Sequence, residues 1–312
     1  MSAGAKLRLD QVYGDLRMIH RLAVAAKQCV PPGVRLRISN RLTHALGVGR
    51  EPVAGLEWLF VANLPNSGST ALAMLLSTAP GATTLTDNGE AQWLVPELSK
   101  GTGRWNPARK IDYAMLRSVW IDAAHRRGIG ANALVVEKSP SNIVRLRAMT
   151  EAFADMPVHV IVLTRDPYAV CASWARRYPP SKLGREWDRR LLHMEAGSEK
   201  LFEALGALYG ARTETLETCS EIAQVRISYE ELTGNPEQAV ARLAEAIPRL
   251  AAMDSRAQVR VKDYAPQELT NMNAAQTAQL SPAQRRAITR GLAPYRGVIT
   301  AQGYHLDEVT AA

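Results

Sequence analysis

The chain has 312 residues, 46% hydrophobic and 22% charged, which is an ordinary globular composition for one large α/β domain or two small ones. Its three cysteines show no paired spacing and its six histidines are scattered, which argues against a disulfide scaffold or a zinc module and fits a reducing compartment. No apolar run is long enough for a signal peptide core or a transmembrane helix, so we expect a cytoplasmic protein.

The first 50 residues hold most of the formal net charge of +8, because nine basic residues stand there against two acidic ones (9 − 2 = +7). This segment is predicted to be helical, with an interruption at CVPPGV (29–34). We therefore divide the chain into a basic helical extension over 1–55 and a domain over 56–312. The extension is either a solvated arm, a docking segment for an acidic partner, or a peripheral contact with the anionic inner membrane. No nucleic-acid partner is expected, since no aromatic platform or DNA-binding motif accompanies the charge.

From Trp58 onward, short β-rich runs alternate with helical patterns. The predicted strands are 58–64, 133–138, 158–164 and 223–228. The predicted helices are 68–79, 90–100, 112–127, 141–154, 167–178, 186–218 and 236–250. Apolar strands separated by helices favour a doubly wound, mainly parallel sheet flanked by helices. Residues 253–282 are polar and irregular, which predicts a long loop over one face.

The first strand ends in NLPNSGST, which resembles a nucleotide phosphate loop without its lysine. In the register of Gly68 and Thr70, the pattern GxxxxGK[ST] has Asn63 for its first glycine and Ser69 for its lysine. The anion-binding device remains, because Gly68 allows close approach and Ser67, Ser69 and Thr70 supply hydroxyl groups. A helix follows, and its N-terminus favours an anion. A simple helix cap without a ligand is the alternative.

The next two strands end in charged residues. Lys138 closes the strand of VVEKSP, and is either a surface residue or a cation directed into a ligand crevice. Arg165 follows the strand of VIVLTRDP, and Ser173 and Arg177 stand four residues apart on the next helix, which puts them on one face. This arrangement suits a second phosphate, although Arg165 and Asp166 could instead pair with each other.

In a parallel sheet the carboxyl ends of the strands meet at one edge, where ligands bind. The loop, the lysine and the arginine–serine pair are therefore expected to form one crevice. At this point the chain resembles the sulfotransferases that use 3′-phosphoadenylyl sulfate (PAPS) and share a P-loop-like fold. LPNSGST is similar to the loop of that family for the 5′-phosphosulfate, and TRDPYAVCAS to its segment for the 3′-phosphate. The resemblance covers roughly residues 58–305 and is closest in style to tyrosylprotein and carbohydrate sulfotransferases.

The resemblance implies roles for particular residues. TDNGEAQWLVPEL resembles a segment with a catalytic glutamate, here Glu90, and VVEKSP one whose lysine, here Lys138, contacts the sulfonate. Tyr229 of VRISYEELTGNP corresponds to a tyrosine near the adenine. The donor-binding residues implied are Asn66, Ser67, Gly68, Ser69, Thr70, Arg165, Ser173, Arg177 and Tyr229.

One position departs from the family pattern. Asn66 stands where the family usually has lysine or arginine, so the loop brings no charge to the transferred group. Lys138 or a cation of the long loop, such as Lys262, is expected to compensate. We expect no metal ion, because a sulfonate carries less charge than a γ-phosphate. His193 and Asp87 are the alternative bases to Glu90.

Three functions are compatible with these patterns. The first is sulfuryl transfer from PAPS to a hydroxyl of a carbohydrate, a glycolipid or a small metabolite. The second is a non-catalytic or weakly active nucleotide-binding protein, favoured by Asn66, and the third is a P-loop kinase, which the missing lysine opposes. The sequence contains no motif that identifies the acceptor. The segment WARRYPPSKLGREWDRR either covers an anionic or sugar acceptor or forms a solvated helix edge.

Overall fold

A computed structural model describes residues 32–45, 55–261 and 265–308. Its centre is one sheet of parallel strands in the order β2–β3–β1–β4–β5. The strands are β1 (Glu57–Asn63), β2 (Ala82–Thr84), β3 (Leu134–Glu137), β4 (Val158–Thr164) and β5 (Val225–Ser228). The parallel sheet flanked by helices confirms the predicted fold class.

Helices surround the sheet in the described part of the chain. They are α1 (Pro32–Ala45), α2 (Ser69–Leu76), α3 (Pro96–Ser99), α4 (Tyr113–Arg126), α5 (Leu146–Ala152), α6 (Pro167–Arg177), α7 (Pro180–Glu186), α8 (Glu199–Cys219), α9 (Tyr229–Gly234), α10 (Pro236–Ala246), α11 (Asn273–Thr277), α12 (Pro282–Leu292) and α13 (Arg296–Ala301). Short 3₁₀ turns lie at Ala91–Leu94, Thr102–Trp105, Pro140–Val144, Arg189–Leu191, Pro248–Leu250 and Ala293–Tyr295.

Both faces of the sheet are buried, which explains why its strands read as continuous apolar runs. Successive side chains of β1 point to opposite faces. Trp58 and Phe60 pack on one side in an aromatic cluster with Trp120 of α4. Leu59 and Val61 pack on the other side, in the core that includes α2 and α10.

The strand order brings the sequence motifs to one edge. Strand β1 lies between β3 and β4, so the chain leaves β1 toward one side of the sheet and later returns to the other. The carboxyl ends of these strands lead directly to the NSGST turn, to Lys138 and to Arg165. A crevice at such a switch of strand order is the usual ligand position in open α/β sheets.

Several predicted elements differ from the structure. The short strand β2 was not predicted, because ATT has little apolar signal at the sheet edge. The predicted helix 90–100 is a 3₁₀ turn and the one-turn α3, since Pro96 starts a new segment. The predicted helix 186–218 begins only at α8, where Ser198 caps it by accepting from the Leu201 amide. The predicted loop 253–282 contains α11 and an antiparallel bridge between Val259 and Gln267.

Within the predicted N-terminal extension, the structure describes α1 and residue 55, and residues 1–31 and 46–54 lie outside the described residues. Helix α1 packs on the domain: Asn40 Nδ2 donates to the Leu94 carbonyl at 2.9 Å, and Arg37 pairs with Glu97 at 3.2 Å. Among the described residues, none of the helices combines the length and apolarity needed to cross a membrane.

Helices α8 and α12 approach closely because a glycine of each helix faces the backbone of the other. A Cβ at Gly206 would lie 2.5 Å from the Ile288 carbonyl oxygen, and one at Gly291 would lie 2.7 Å from the Ala207 amide nitrogen. This packing fixes α8, whose Tyr209 hydroxyl donates to the Arg165 carbonyl at 2.5 Å. The glycine contact thereby supports the position of the arginine at the sheet edge.

We expect Gly291→Ala to lower the free energy of unfolding by about 1–3 kcal/mol, because the added methyl group must push the two helices apart. Gly297→Ala on α13 is the matched control, since no atom lies within 4 Å of its new Cβ. There the higher helix propensity of alanine should stabilise the protein by up to about 1 kcal/mol. Urea denaturation of both variants measures the difference, and equal effects would contradict the close packing.

Candidate functional site

The turn after β1 is shaped by two residues with positive φ. Asn66 has φ 62° and Gly68 has φ 94°, and Gly68 forms the N-cap of α2. Glycine is needed at residue 68, because a Cβ there would lie 2.5 Å from Cδ2 of the Tyr229 ring. The turn therefore presents bare backbone at the start of α2, which is the geometry that suits an oxyanion.

Ser67 and Ser69 have different roles in this turn. Ser67 is buried, and its hydroxyl donates to the Leu64 carbonyl at 2.7 Å, so it holds the turn together. Ser69 Oγ accepts from Asn63 Nδ2 at 2.8 Å and lines the cavity beside Thr70. Asn63, which occupies the first glycine position of a Walker loop, is thus a support for the turn.

Arg165 is a buried cation of the site, with 5% of its surface exposed. Its Nη1 donates to the Asn66 carbonyl at 2.8 Å, which joins the end of β4 to the turn. Its Nε and Nη2 donate to the side-chain oxygens of Asn273 and Gln276, each at 2.9 Å. The guanidinium carbon lies 3.8 Å from the centre of the Tyr229 ring. These hydrogen-bond partners are neutral. Burial lowers the Arg165 pKa, while the nearby carboxylates of Glu230 and Asp166 raise it, so the guanidinium group stays charged.

Helix α6 closes the same end of the site. Asp166 caps it by accepting from the Ala169 amide at 2.7 Å. Ser173 Oγ accepts a hydrogen bond from Asn66 Nδ2 at 3.0 Å, so Ser173 lies at the turn as its spacing predicts. Arg177, at the last residue of α6, lines the cavity and hydrogen-bonds the Tyr178 hydroxyl. The structure therefore brings Arg165, Ser173 and Arg177 to one cavity.

Lys138 and Glu90 meet in front of the turn. Lys138 is 1% exposed, and its Nζ lies 2.9 Å from Glu90 Oε1 and 3.1 Å from Thr70 Oγ1. Glu90 Oε2 also accepts from Gln92 Nε2 at 2.7 Å, and Gln92 in turn accepts from Ser141. A carboxylate and an ammonium group are thus held together at the mouth of the turn that precedes α2.

Glu137 holds both of these groups in place, although sequence reasoning did not single it out. Its carboxylate accepts from the Ala91 amide at 3.0 Å and from the Ser139 amide at 2.8 Å, the residues directly after Glu90 and Lys138. It also accepts from the Ser139 hydroxyl and from Asn142. Burial raises the pKa of Glu137 to about 7, and these hydrogen bonds oppose the rise.

A cavity of about 450 Å³, within the range of small-molecule sites, connects these groups. It is lined by the predicted residues Asn66, Gly68, Ser69, Thr70, Glu90, Lys138, Arg165, Ser173, Arg177 and Tyr229. Ser67 is the predicted donor-binding residue that does not line it. The alternative bases lie elsewhere: His193 is exposed outside the cavity lining, and the exposed Asp87 pairs with Arg127 at 3.8 Å. Lys262 lies outside the described residues.

The long loop contributes more than its sequence indicates. Tyr229 Oη donates to the Thr270 carbonyl and accepts from the Met272 amide, which fastens the loop to α9. The loop supplies the two amide partners of Arg165, Asn273 and Gln276. The run of asparagine and glutamine in NMNAAQTAQ is the signal that could have pointed to this role. In the described part of the chain, no group of three His, Cys, Asp or Glu residues could hold a metal ion.

A model of the sulfotransferase family matches residues 59–249, which is more than half of the chain. The chain belongs to the sulfotransferase family. The match spans the NSGST turn, Lys138, the R-D-P segment and Tyr229. This membership confirms the resemblance that the motifs indicated, and it supports sulfuryl transfer as the general reaction.

Solved sulfotransferases are distant in sequence. Sulfotransferase STF9 from Mycobacterium avium shows 15% identity over 84% of this chain and 82% of its own, with a TM-score of 0.49. The sulfotransferase domain of the Synechococcus PCC 7002 olefin synthase shows 17% identity over 82% and 98%, with a TM-score of 0.47. The sulfotransferase from Alicyclobacillus acidocaldarius shows 16% identity over 81% and 96%, with a TM-score of 0.45. No curated protein matches the chain.

Glu137 should make the stability of this sulfotransferase depend on pH. Because its pKa is raised in the folded protein, its contribution is fully present below about pH 4.5 and is lost as the pH rises through about 7. Between those limits we expect the free energy of unfolding to fall by about 3 kcal/mol more in the wild type than in Glu137→Gln.

Urea denaturation across that pH range measures the effect. Glu214→Gln, an exposed residue on α8, is the control and should follow the wild type. Parallel pH profiles for the wild type and Glu137→Gln would contradict a Glu137 pKa that burial raises.

Proposed function

We propose that this sulfotransferase transfers a sulfuryl group from PAPS to a hydroxyl of a carbohydrate, a glycolipid or a small metabolite. The observation that carries the proposal is the position of Lys138 Nζ, within 3.1 Å of Thr70 on the anion-binding turn and 2.9 Å of the Glu90 carboxylate. One cation therefore borders both the place for a sulfonate and the group that can take a proton. A site that merely holds a nucleotide does not require this pairing.

The residues fit a donor that carries charge at two ends. The bare backbone at Gly68 and the hydroxyls of Ser69 and Thr70 suit the 5′-phosphosulfate. Arg165, buried among neutral oxygens, and Ser173 suit the 3′-phosphate. Tyr229 lines the cavity between them and is assigned to the adenine end, while Arg177 is assigned to a phosphate.

The chemistry needs positioning and charge stabilisation more than covalent help. PAPS supplies a sulfuryl group that an acceptor oxygen attacks in line, as in phosphoryl transfer. Glu90 takes the proton of the acceptor hydroxyl, a role worth about 10²–10⁴-fold in rate. Lys138 and the amides of the turn stabilise the charge that develops on the bridging oxygen, and Glu137 holds the backbone beside both reacting groups.

We propose that the reaction needs no metal ion, because Lys138 and Arg165 carry the charge that Mg²⁺ provides in nucleotide kinases. Asn66 contributes orientation in place of charge, since its amide donates to Ser173 and its oxygen lies 3.4 Å from the Tyr178 hydroxyl. Arg177, hydrogen-bonded to that hydroxyl, is the nearest replacement for the missing loop cation.

We also propose that the protein works in the cytoplasm and touches an anionic membrane through residues 1–50. The charge of this segment supports the contact. On α1, Val34 and Ile38 are exposed by 42% and 52%, and Arg37 and Arg41 are exposed beside them. Exposed apolar and basic side chains together favour a membrane surface.

Asn66 favours a second candidate function, which is nucleotide binding without efficient transfer. In that case the turn would hold adenosine 3′,5′-bisphosphate, and no acceptor would be sulfated. A P-loop kinase is disfavoured, because Ser69 stands at the lysine position and its hydroxyl is hydrogen-bonded to Asn63.

Calorimetry with adenosine 3′,5′-bisphosphate, with and without Mg²⁺, tests the donor site. We expect binding that does not depend on Mg²⁺, and a preference over AMP that comes from Arg165 and Ser173. Ser173→Ala and Arg165→Lys should weaken the bisphosphate by about 10-fold or more while changing AMP less, because each removes a charge-assisted contact. Arg185→Ala, exposed on α7, is the control. ATP binding that requires Mg²⁺ would refute the donor assignment.

Transfer of ³⁵S from PAPS to a panel of hydroxyl acceptors tests the catalytic assignment. We expect Glu90→Gln to lower kcat by about 10²–10⁴-fold with little change in bisphosphate affinity, because the amide cannot accept the proton. Lys138→Met should also lower kcat. Glu97→Gln, which removes a charge beside α1, is the control. Undiminished transfer by Glu90→Gln would remove the general base from the proposal.

A further inference from the structure

The part of the cavity beyond Glu90 is built differently from the nucleotide end. Its wall consists of aromatic rings from separate connecting segments, with cations around them. The rings are Trp93, Trp105, Tyr178 and Trp187, and the cations are Lys100, Arg104, Arg176 and Lys182. Glu186 is the acidic residue of this wall, apart from Glu90 itself.

The rings are held rigidly. Trp187 packs edge-to-face against both Trp105 and Tyr178, with ring centres 6.5 Å and 5.1 Å apart. Trp105 Nε1 donates to the Glu186 carbonyl at 3.1 Å. Trp93 differs from these rings, because 41% of its surface is exposed although it lines the cavity. An exposed indole that lines the same cavity as a fixed aromatic wall offers a stacking surface for a flat apolar face.

Positive charge on this wall exceeds its local compensation. Arg104 is buried, its Nη2 lies 3.5 Å from Glu186, and its Nε has no hydrogen-bond partner among the described residues. Behind the wall, the buried Arg212 lies 3.6 Å from the centre of the Trp105 ring. Both of its amino groups also lack a hydrogen-bond partner within the described ranges. Glu186 therefore compensates Arg104, while Asp188 is the carboxylate that opposes the lowering of the Arg212 pKa by burial.

At the rim, the cations have no acidic partners. No carboxylate among residues 32–45, 55–261 and 265–308 forms an ion pair with Lys100, Arg176 or Lys182. Lys182 Nζ lies 5.1 Å from the centre of the Tyr178 ring, so an ammonium group borders the aromatic surface. Because Glu90 is paired with Lys138, the four cations and Glu186 of this end leave a surplus of three positive charges (4 − 1). This surplus is separate from Lys138, Arg165 and Arg177, which the donor uses.

We propose that the acceptor is an anionic carbohydrate. The inference rests on the proposed function and names the class of its acceptor. A hydroxyl of the sugar faces Glu90, the apolar face of the ring stacks on Trp93 and its neighbours, and a carboxylate or phosphate of the same molecule faces Lys182 and Arg176. An uncharged sugar would form no ion pair with these cations, and a plain phenol would contact only the aromatic surface.

Methyl β-glucuronide and methyl β-glucoside form a matched pair of probes that differ in one carboxylate. With ³⁵S-labelled PAPS, we expect kcat/KM to be about tenfold or more higher for the glucuronide, because one favourable charge contact near the surface has that effect. Added salt should reduce the difference in kcat/KM between the two sugars, since the rim cations are exposed and salt screens their charge. Glucose 6-phosphate tests whether a phosphate group is recognised as well as a carboxylate, and 2-naphthol tests a phenolic acceptor.

Charge reversal at the rim tests the assignment directly. Lys182→Glu should lower the glucuronide-to-glucoside ratio by about tenfold. Lys200→Glu, an exposed lysine of α8 outside the cavity, changes the net charge equally and should leave the ratio as it is. Trp93→Ala should raise KM for both sugars together. Equal kcat/KM for the two sugars, a preference for 2-naphthol, or a ratio unaffected by Lys182→Glu would each overturn the inference.

Calorimetry with adenosine 3′,5′-bisphosphate on the same preparations separates two kinds of failure. If the bisphosphate binds and sulfate reaches glucoside or naphthol without a preference for anions, the acceptor assignment alone is wrong. If the bisphosphate does not bind and no probe is sulfated, the proposed function is wrong, and the acceptor assignment falls with it.

Discussion

The site depends on the burial of one guanidinium group among neutral oxygens. Arg165 donates to the carbonyl of the turn and to two amide side chains of the long loop, and it stacks on Tyr229. A carboxylate in any of these places would satisfy the arginine and cancel its charge, since a buried pair is strongly attractive. Neutral oxygens satisfy the donors instead, and the carboxylates of Glu230 and Asp166 act on Arg165 without hydrogen-bonding to it. The same contacts join the turn, β4, α9 and α11 into one rigid corner.

A second constraint acts at the end of β3. Glu137 is the last residue of that strand, and its carboxylate receives the amides that follow Glu90 and Lys138. The Lys138 amide also donates to the Gly89 carbonyl at 2.8 Å, so both segments are fixed at the backbone level. Glu90 and Lys138 therefore keep their spacing through the backbone as well as through their own contact. Such preorganisation is what charge stabilisation at a reacting centre requires.

Much of the fold and the position of the crevice could be predicted from sequence. The apolar runs gave strands β1, β3, β4 and β5, and the polar residues directly after three of them gave the crevice, because parallel strands share a carboxyl edge. Strand β2 could not be predicted, because three residues that include two threonines show no hydrophobic periodicity. Helix α8 was predicted to begin too early, since charged residues around 186–198 suit a solvated helix and a tight turn equally well.

The residues of the site that could not be predicted from sequence share one physical reason. Asn273, Gln276 and Glu137 act through contacts with residues that are distant in the chain or hidden in a strand, and neutral amides carry no local pattern. The aromatic wall could not be predicted for a similar reason, because Trp93, Trp105 and Trp187 come from different connecting segments. Position 68 shows how tightly such distant residues are tied. A side chain at residue 68 and the ring of Tyr229 would occupy one shared volume, so residue 68 can become larger only if residue 229 becomes smaller.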